Sequence, residues 1–323
     1  MYDFSTSRLN DKDLLIAKVI AKGKKDKFIY LTKEDSKHKE NYEDTLESFY
    51  KYINNKSLRL SNNSETNIKI ALRDHDVALL SSSEKKIYDA FKTYQKNGDK
   101  NLYTDDTFQL IPFFEYKGKQ TQRDVIYCAG SSGAGKTTFI SKYCIEFNDI
   151  FQGSPIYFIS AKKLKDESAF DLVNNIKQID INDVEMLENI TSEGDSFNYF
   201  AHKSGYSLVI FDDAEALSKT QEKYVNNILE SILQIGRSKG IYCIVSKHVL
   251  CNSNKTKVII NECNKVVLFI NTLSHYAISY FLKNYIGYDK NEINTVLDMK
   301  SRYVVISKTV PKFILAEHNI ILN

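Results

Sequence analysis

Tryptophan is absent from this chain of 323 residues, and proline occurs only three times. No proline- or glycine-rich linker appears and no segment recurs, which excludes solenoid and low-complexity architectures. The five cysteines, at 128, 144, 243, 251 and 263, are odd in number and show no C-x-x-C spacing. Several fall in apolar, strand-like runs, so they read as buried thiols in a reducing compartment, not as a disulfide framework or a zinc site. No apolar run approaches the length of a membrane span, and the opening MYDFSTSRLNDKD lacks a signal-peptide pattern. The expectation is a cytoplasmic protein, not secreted and without a membrane partner. Net charge is only +3, so any contact with nucleic acid must come from local patches, not a global basic excess. What remains is ordinary soluble composition: 42% hydrophobic residues suffice for a core, and the length suits one large or two modest domains.

One stretch stands out. Gly130-Ser131-Ser132-Gly133-Ala134-Gly135-Lys136-Thr137 fits the phosphate-loop pattern G-x-x-x-x-G-K-[ST] at every fixed position, and Thr138 follows. An apolar run, Val125–Cys128, precedes it and a helix pattern follows, as the motif requires. Glycines let consecutive backbone N–H groups curl around phosphates, and the helix N-terminus adds partial positive charge. Lys136 suits the β- and γ-phosphates and the Thr137 hydroxyl suits Mg²⁺, so the stretch implies binding of ATP with Mg²⁺.

Residues 1–118 precede this loop and carry no catalytic constellation. Leu14–Ala21 and Lys27–Leu31 read as strands of a hairpin, Thr45–Ile53 as a helix, and Ser83 as the cap of a helix ending at Asn97-Gly98. Residues 22–39 hold seven lysines against three acids, either a solvated face or a local nucleic-acid contact. Asp74-His75-Asp76 reads as an exposed turn, because three adjacent residues in regular structure cannot all face one ion. The expected division is an N-terminal α+β accessory region, 1–118, and an ATPase domain, 119–323, with the boundary near Lys117-Gly118-Lys119.

Beyond the loop, buried strands are expected at 156–160, 206–211, 241–246 and 265–270, with a helix around Ser168–Ile176 and mixed structure up to 205. The strand at 206–211 ends in Asp212 and Asp213, 76 residues after Lys136 for the first of them. That is the position of the Mg²⁺-associated aspartate. Asp212 suits the metal, through its water shell. Asp213 suits the attacking water, with Glu215 as the fallback, although a carboxylate at a helix start also simply favours the dipole. Ser218-x-x-Gln221 forms a capping box for a helix with apolar positions at Val225, Ile228, Leu229, Ile232 and Leu233. Ser246 and His248 end the next strand, where a residue sensing the γ-phosphate belongs; a structural histidine is the alternative for His248. Arg237, beside Gly236 at the helix end, could reach a neighbouring subunit's nucleotide or act as a C-terminal cation for its own helix. Ser274 and Asp289 start two more amphipathic helices, and Tyr303–Ser307 and Lys312–Leu322 read as a closing strand and hairpin.

One strand-and-helix unit is expected between the loop helix and the acidic strand, with a polar-ended strand after it. This is the plan of an α/β phosphate-loop NTPase of the RecA/ASCE-like kind, a parallel sheet flanked by helices with its motifs at the carboxyl edge. The runs VIFDDAEAL (209–217), LQIGRSKGIYCIVSKHV (233–249) and TKVIINECNKVVLFI (256–270) resemble the FtsK–HerA superfamily, within it the poxvirus-type DNA-packaging ATPases of large double-stranded DNA viruses. The likeness covers about residues 123–272. Members usually carry Gln near the end of the strand after the acidic one; here Ser246-Lys247-His248 stands instead. The resemblance implies a homo-oligomeric ring ATPase moving double-stranded DNA into a capsid, with capsid proteins as partners and a viral factory or virion as its place.

Two other classes fit a phosphate loop. A phosphate-loop kinase needs an acceptor site and usually an arginine-rich lid, and residues 161–205 contain no arginine. A nucleotide-gated interaction protein with little turnover is compatible with the missing Gln.

Overall fold

Short apolar runs alternating with amphipathic stretches set the architecture. The computed structural model describes residues 2–8, 13–23, 26–33, 62–74, 77–97, 101–103, 108–115, 123–192, 196–214, 217–251 and 254–322. The expected helix at Thr45–Ile53, most of the lysine-rich stretch beyond residue 33, and His75-Asp76 lie outside the described residues.

In chain order the elements begin with β1 (Tyr2–Ser5), β2 (Leu14–Ala21), β3 (Lys27–Lys33), α1 (Asn62–Asp74) and α2 (Ser82–Asn97). Next come β4 (Asn101–Tyr103), β5 (Phe108–Glu115), β6 (Val125–Ala129), α3 (Lys136–Ile150), β7 (Ile156–Ser160) and β8 (Ile176–Asp180). Helices α4 (Val184–Ser192) and α5 (Ser196–Phe200) lead to β9 (Ser207–Phe211), α6 (Lys219–Ile235), β10 (Ile241–Lys247), α7 (Asn254–Glu262) and β11 (Lys265–Leu268). Helices α8 (His275–Phe281) and α9 (Lys290–Leu297) precede β12 (Val304–Ser307), β13 (Phe313–Ala316) and β14 (Asn319–Leu322).

The chain divides into two compact units, one drawn from Lys33–Asn101, the other from Tyr2–Thr32 with Leu102–Asn323. This differs from the division expected at residue 118. The reason is packing: Leu15, Ile16, Val19, Leu110 and Phe113 of β2 and β5 share one apolar cluster with Phe139, Ile140, Tyr143 and Phe147 of α3. Lys18 of β2 also reaches Glu146 of α3 at 3.0 Å. In the first unit, α1 and α2 are tied by Asn67, which donates to Glu84 at 3.1 Å. The cap of α2 is Ser81, two residues before the expected Ser83. Its hydroxyl accepts from Glu84 N–H at 3.3 Å, and Glu84 accepts back from Ser81 N–H at 2.8 Å.

The second unit holds a four-stranded sheet, β1-β3-β2-β5, and a ten-stranded one, β4-β14-β13-β12-β11-β6-β10-β9-β7-β8. From β11 through β8 neighbouring strands run parallel; from β11 through β14 they alternate. Because β10 lies between β6 and β9, the ends of the loop strand and the acidic strand frame the end of β10. That order, with the loop between β6 and α3, is the phosphate-loop NTPase fold, its parallel portion flanked by helices.

Two further expectations need correction. The segment between α3 and β9 contributes two strands, not one, and the expected helix at 168–176 is a single 3-10 turn, Ser168–Phe170, followed by β8. Asn175 takes a left-handed conformation (φ 53°), which ends helical continuity and turns the chain into β8 beside β7. Helix α7 was not expected at all; Ile259 and Ile260 are its buried face. Cys128, Cys144, Cys243 and Cys263 are buried thiols and Cys251 is half-buried, and none is in a disulfide.

Candidate functional site

The loop is built from the inside outward. Strand β6 is buried along its whole length. Where it ends, Gly130 N–H donates to Lys247 O at 3.1 Å, anchoring the loop to β10. A Cβ on Gly130 would stand 2.7 Å from Phe269 Cβ, so the strand can leave the sheet only at glycine. Gly135 has φ 100°, in the left-handed region, and caps α3 without a side-chain hydrogen bond. The first N–H groups of α3 are therefore open to an anion, and no acidic residue occupies its first turn. Ser132, Gly133 and Thr138 are exposed, while Ser131, Ala134 and Thr137 are half-buried. The Lys136 ammonium donates to Gly130 O at 2.7 Å and Ser131 O at 3.0 Å, and lies 3.2 Å from His248 Nδ1.

Asp212 and Asp213 diverge at the end of β9. Asp212 is 2% exposed, and its Oδ1 makes no hydrogen bond. Ser246 lies beside it, one residue past the Val245–Phe211 pair, and its Oγ also makes none. Burial pushes the Asp212 carboxyl up; the nearby serine hydroxyl opposes this without reversing it. A buried carboxylate with one oxygen outside any geometric hydrogen bond, and a serine hydroxyl beside it, is a donor set that fits Mg²⁺, which keeps several waters and takes one or two carboxylates alongside substrate phosphates. No cluster of three or more His, Cys, Asp or Glu able to hold a metal occurs among the described residues. Thr137 and Asp212 are the residues that would hold Mg²⁺.

Asp213 has φ 51°, unusual for a residue with a side chain. Its Oδ1 meets His248 Nε2 at 2.7 Å, and its Oδ2 is in an ion pair with Lys162 Nζ. Burial pushes this carboxyl up, but the hydrogen bond and charge of Lys162, reinforced by His248, outweigh it and hold it below its ordinary range. Because the Lys136 ammonium can only donate, the hydrogen-bond pattern assigns Nδ1 of His248 as acceptor and Nε2–H as donor to Asp213. A continuous chain of contacts thus runs from Lys136 through His248 to Asp213 and Lys162.

The structure brings together residues 130–138, Asp212, Asp213, Ser246 and His248. Glu215 lies outside the described residues. Arg237 is exposed, in a 3-10 turn (Gly236–Lys239) just before β10, so it sits at the sheet edge opposite the loop. The seven residues of β10, roughly 20 Å of strand, separate the two edges. Beside it, buried Arg123 caps α6, donating to Ile232 O at 2.6 Å, Leu233 O at 2.9 Å and Ile241 O at 2.5 Å.

Sequence reasoning missed Lys162, Phe269 and Thr272, whose hydroxyl accepts from Ser131 N–H at 3.3 Å. Only Lys162 left a trace in the sequence, as a basic residue just past a buried strand that ends, like the others, at the carboxyl edge.

No protein-family model matches the chain. Over 202 residues it is 33% identical to "Uncharacterized protein V3" of Sputnik virophage, covering 61% of this chain and 76% of that protein. The chain belongs to the V3 family. Among solved structures, it resembles the genome packaging NTPase B204 from Sulfolobus turreted icosahedral virus 2 in complex with ATP-gammaS. That likeness has 14% identity and a TM-score of 0.38, over 60% of this chain and 96% of the other. It also resembles the pCW3 conjugation coupling protein TcpA with ATPgS, at 13% identity and a TM-score of 0.41, over 70% and 67% of the two chains. Among the described residues, no helix of this V3-family chain is long and apolar enough to cross a membrane.

Proposed function

We propose that the protein is an ATP-hydrolysing phosphate-loop motor, working as a homo-oligomeric ring that drives double-stranded DNA into a viral capsid. The observation that carries the hydrolytic part is the chain of contacts Lys136–His248–Asp213. A loop that only bound nucleotide would need no acid linked to its lysine. The DNA, ring and capsid parts are supported by the FtsK–HerA-like runs at 209–217, 233–249 and 256–270. A viral factory or virion in the cytoplasm is the corresponding place of action.

In this reading the loop 130–138 binds the phosphates, chiefly through the N–H groups from Ser132 to Thr138, since the Ser131 N–H is already engaged by Thr272. Lys136 neutralises charge developing on the γ-phosphoryl group. Asp213 orients the attacking water and accepts its proton, with Glu215 as the alternative. His248 ties the position of Lys136 to that of Asp213, and Ser246 stands beside Asp212 to hold a water. Mg²⁺, when bound through Thr137 and the water shell of Asp212, supplies Lewis-acid neutralisation of the β/γ oxygens. Arg237, at the edge away from its own loop, serves a neighbouring subunit.

Steady-state ATP hydrolysis with and without duplex DNA tests the proposal. Turnover that rises on adding duplex is expected; a phosphorylated acceptor in place of free phosphate would turn the reading to a kinase. A second reading, a nucleotide-gated interaction protein, is favoured by the engagement of both Asp213 oxygens. Tight ATP binding without turnover would select it.

A further inference from the structure

Lys162 belongs to no motif, yet its side chain ends on Asp213. It follows β7, which pairs with β9 up to Ile159–Phe211, so the ends of the two strands lie side by side. Its peptide is held at both ends: Lys162 N–H donates to Ser160 Oγ at 3.1 Å, and its carbonyl accepts from Gln178 Nε2 at 2.8 Å. Gln178, on β8, in turn accepts from Leu164 N–H at 2.8 Å, which pins the loop on both sides of the lysine. From this fixed base Nζ reaches Asp213 Oδ2, with Glu167 Oε1 at 3.7 Å as a second, weaker partner.

His248 takes the other oxygen, Oδ1. The two contacts arrive from opposite sides, because β7 and β10 flank β9 in the sheet. A carboxylate held at both oxygens from opposite sides cannot rotate about its terminal torsion, yet each oxygen keeps a further lone pair. Stability alone is a poor account of this lysine. Its side chain is 51% exposed, and exposed ion pairs contribute little. We infer that Lys162 is a positioning residue of the phosphoryl-transfer site, fixing the plane of the Asp213 carboxylate from which water is oriented. The inference rests on the reading of Asp213 as the acid that handles that water.

The full chain, assayed with ATP and Mg²⁺, tests it in four variants: Lys162→Ala, Lys162→Arg, Asp213→Asn, and Lys162→Ala with Asp213→Asn. Lys162→Ala is expected to lower kcat roughly ten- to a hundredfold, the scale of a misplaced reacting group, with KM and the Kd of a fluorescent ATP analogue nearly unchanged. Lys162→Arg should recover most of kcat, since a guanidinium also reaches the carboxylate. The double variant should be no slower than Asp213→Asn alone. Wild-type turnover in Lys162→Ala beside a dead Asp213→Asn overturns the role of Lys162 and leaves the proposed function standing. A double variant slower by the product of the two single losses also overturns it, because the two residues would then act separately. Absence of turnover in the wild type removes the hydrolytic reading and this inference together.

Discussion

Asp212 and Asp213 are adjacent in sequence and opposite in circumstance. The first is buried with an unpaired oxygen; the second is half-buried and clamped by Lys162 and His248. Their substitutions should therefore differ. Asp213→Asn should retain binding of a fluorescent ATP analogue and lose roughly 10²–10⁴ in turnover, the usual contribution of a general base. Asp212→Asn should weaken analogue binding when Mg²⁺ is present and change little in excess chelator. Normal hydrolysis in Asp213→Asn together with loss in Glu215→Gln would move the base to Glu215. Lys136→Ala should abolish binding or hydrolysis, because the loop loses its charge on the β- and γ-phosphates; near-normal turnover in a folded variant would remove the site. At this scale the loop was legible because phosphate geometry dictates its spacing. Lys162 was not, because its partner is a neighbour across the sheet and no local spacing records that.

Helix ends offer two measurable cases. The Glu84 carboxyl is lowered from 4.5 to about 2 by the Ser81 N–H first, then by the Ser81 hydroxyl and the Asn67 amide. A depressed carboxylate contributes stability above its unfolded value, and that stability is lost as pH falls from about 4.5 toward about 2. Glu84→Gln should thus speed amide exchange in α2 at neutral pH and make no difference near the lower limit. Equal effects at both ends of that range would contradict the cap. At the other end of the chain's helices, a Cβ on Gly236 would stand 2.2 Å from Arg123 Nη1. Arg123→Met should lower the urea midpoint through the loss of its bonds to Ile232 O, Leu233 O and Ile241 O, at about 1–3 kcal/mol for each carbonyl that has no second donor, which Ile232 O has in the Gly236 N–H. Gly236→Ala should do much of the same damage, and the pair together should lose less than the sum. Helix α6 was legible from its capping box and apolar stripe. Strand β8 was not: it is a sheet edge whose Ile176 and Gln178 are half-buried, so its pattern resembles a helical one until Asn175 reverses the backbone.

At the scale of the whole molecule, Arg237 poses the sharpest question. The last carbonyls of α6 are already occupied by Arg123, and Arg237 is exposed at the edge away from its own loop. If it completes a neighbour's site, specific activity should rise with protein concentration, and Arg237→Ala should bind nucleotide normally yet hydrolyse far more slowly. A trans arginine elsewhere is worth roughly 10³–10⁵ in rate. Mixing Arg237→Ala with Asp213→Asn should restore part of the activity, since some neighbours would then pair an intact site with an intact arginine. A flat mixing curve, with mixed assemblies shown to form, would reduce Arg237 to a cation near a helix end, with an effect of about 0.3–1 kcal/mol on stability. The parallel sheet with its motifs gathered at one edge was legible from the order of those motifs, whereas the place of β8 and the division of the chain were not, because they depend on which strands pair and which cover α3. That division changes how the gene should be cut. The chain leaves the second unit at Thr32 and re-enters it at Leu102, so the first unit is an insertion inside a continuous domain. A truncation beginning at residue 119 would strip the cover from Phe139, Tyr143 and Phe147, whereas excising the middle and rejoining the ends would keep it. Among relatives, the variation to look for is an internal segment gained or lost, not a front end trimmed away.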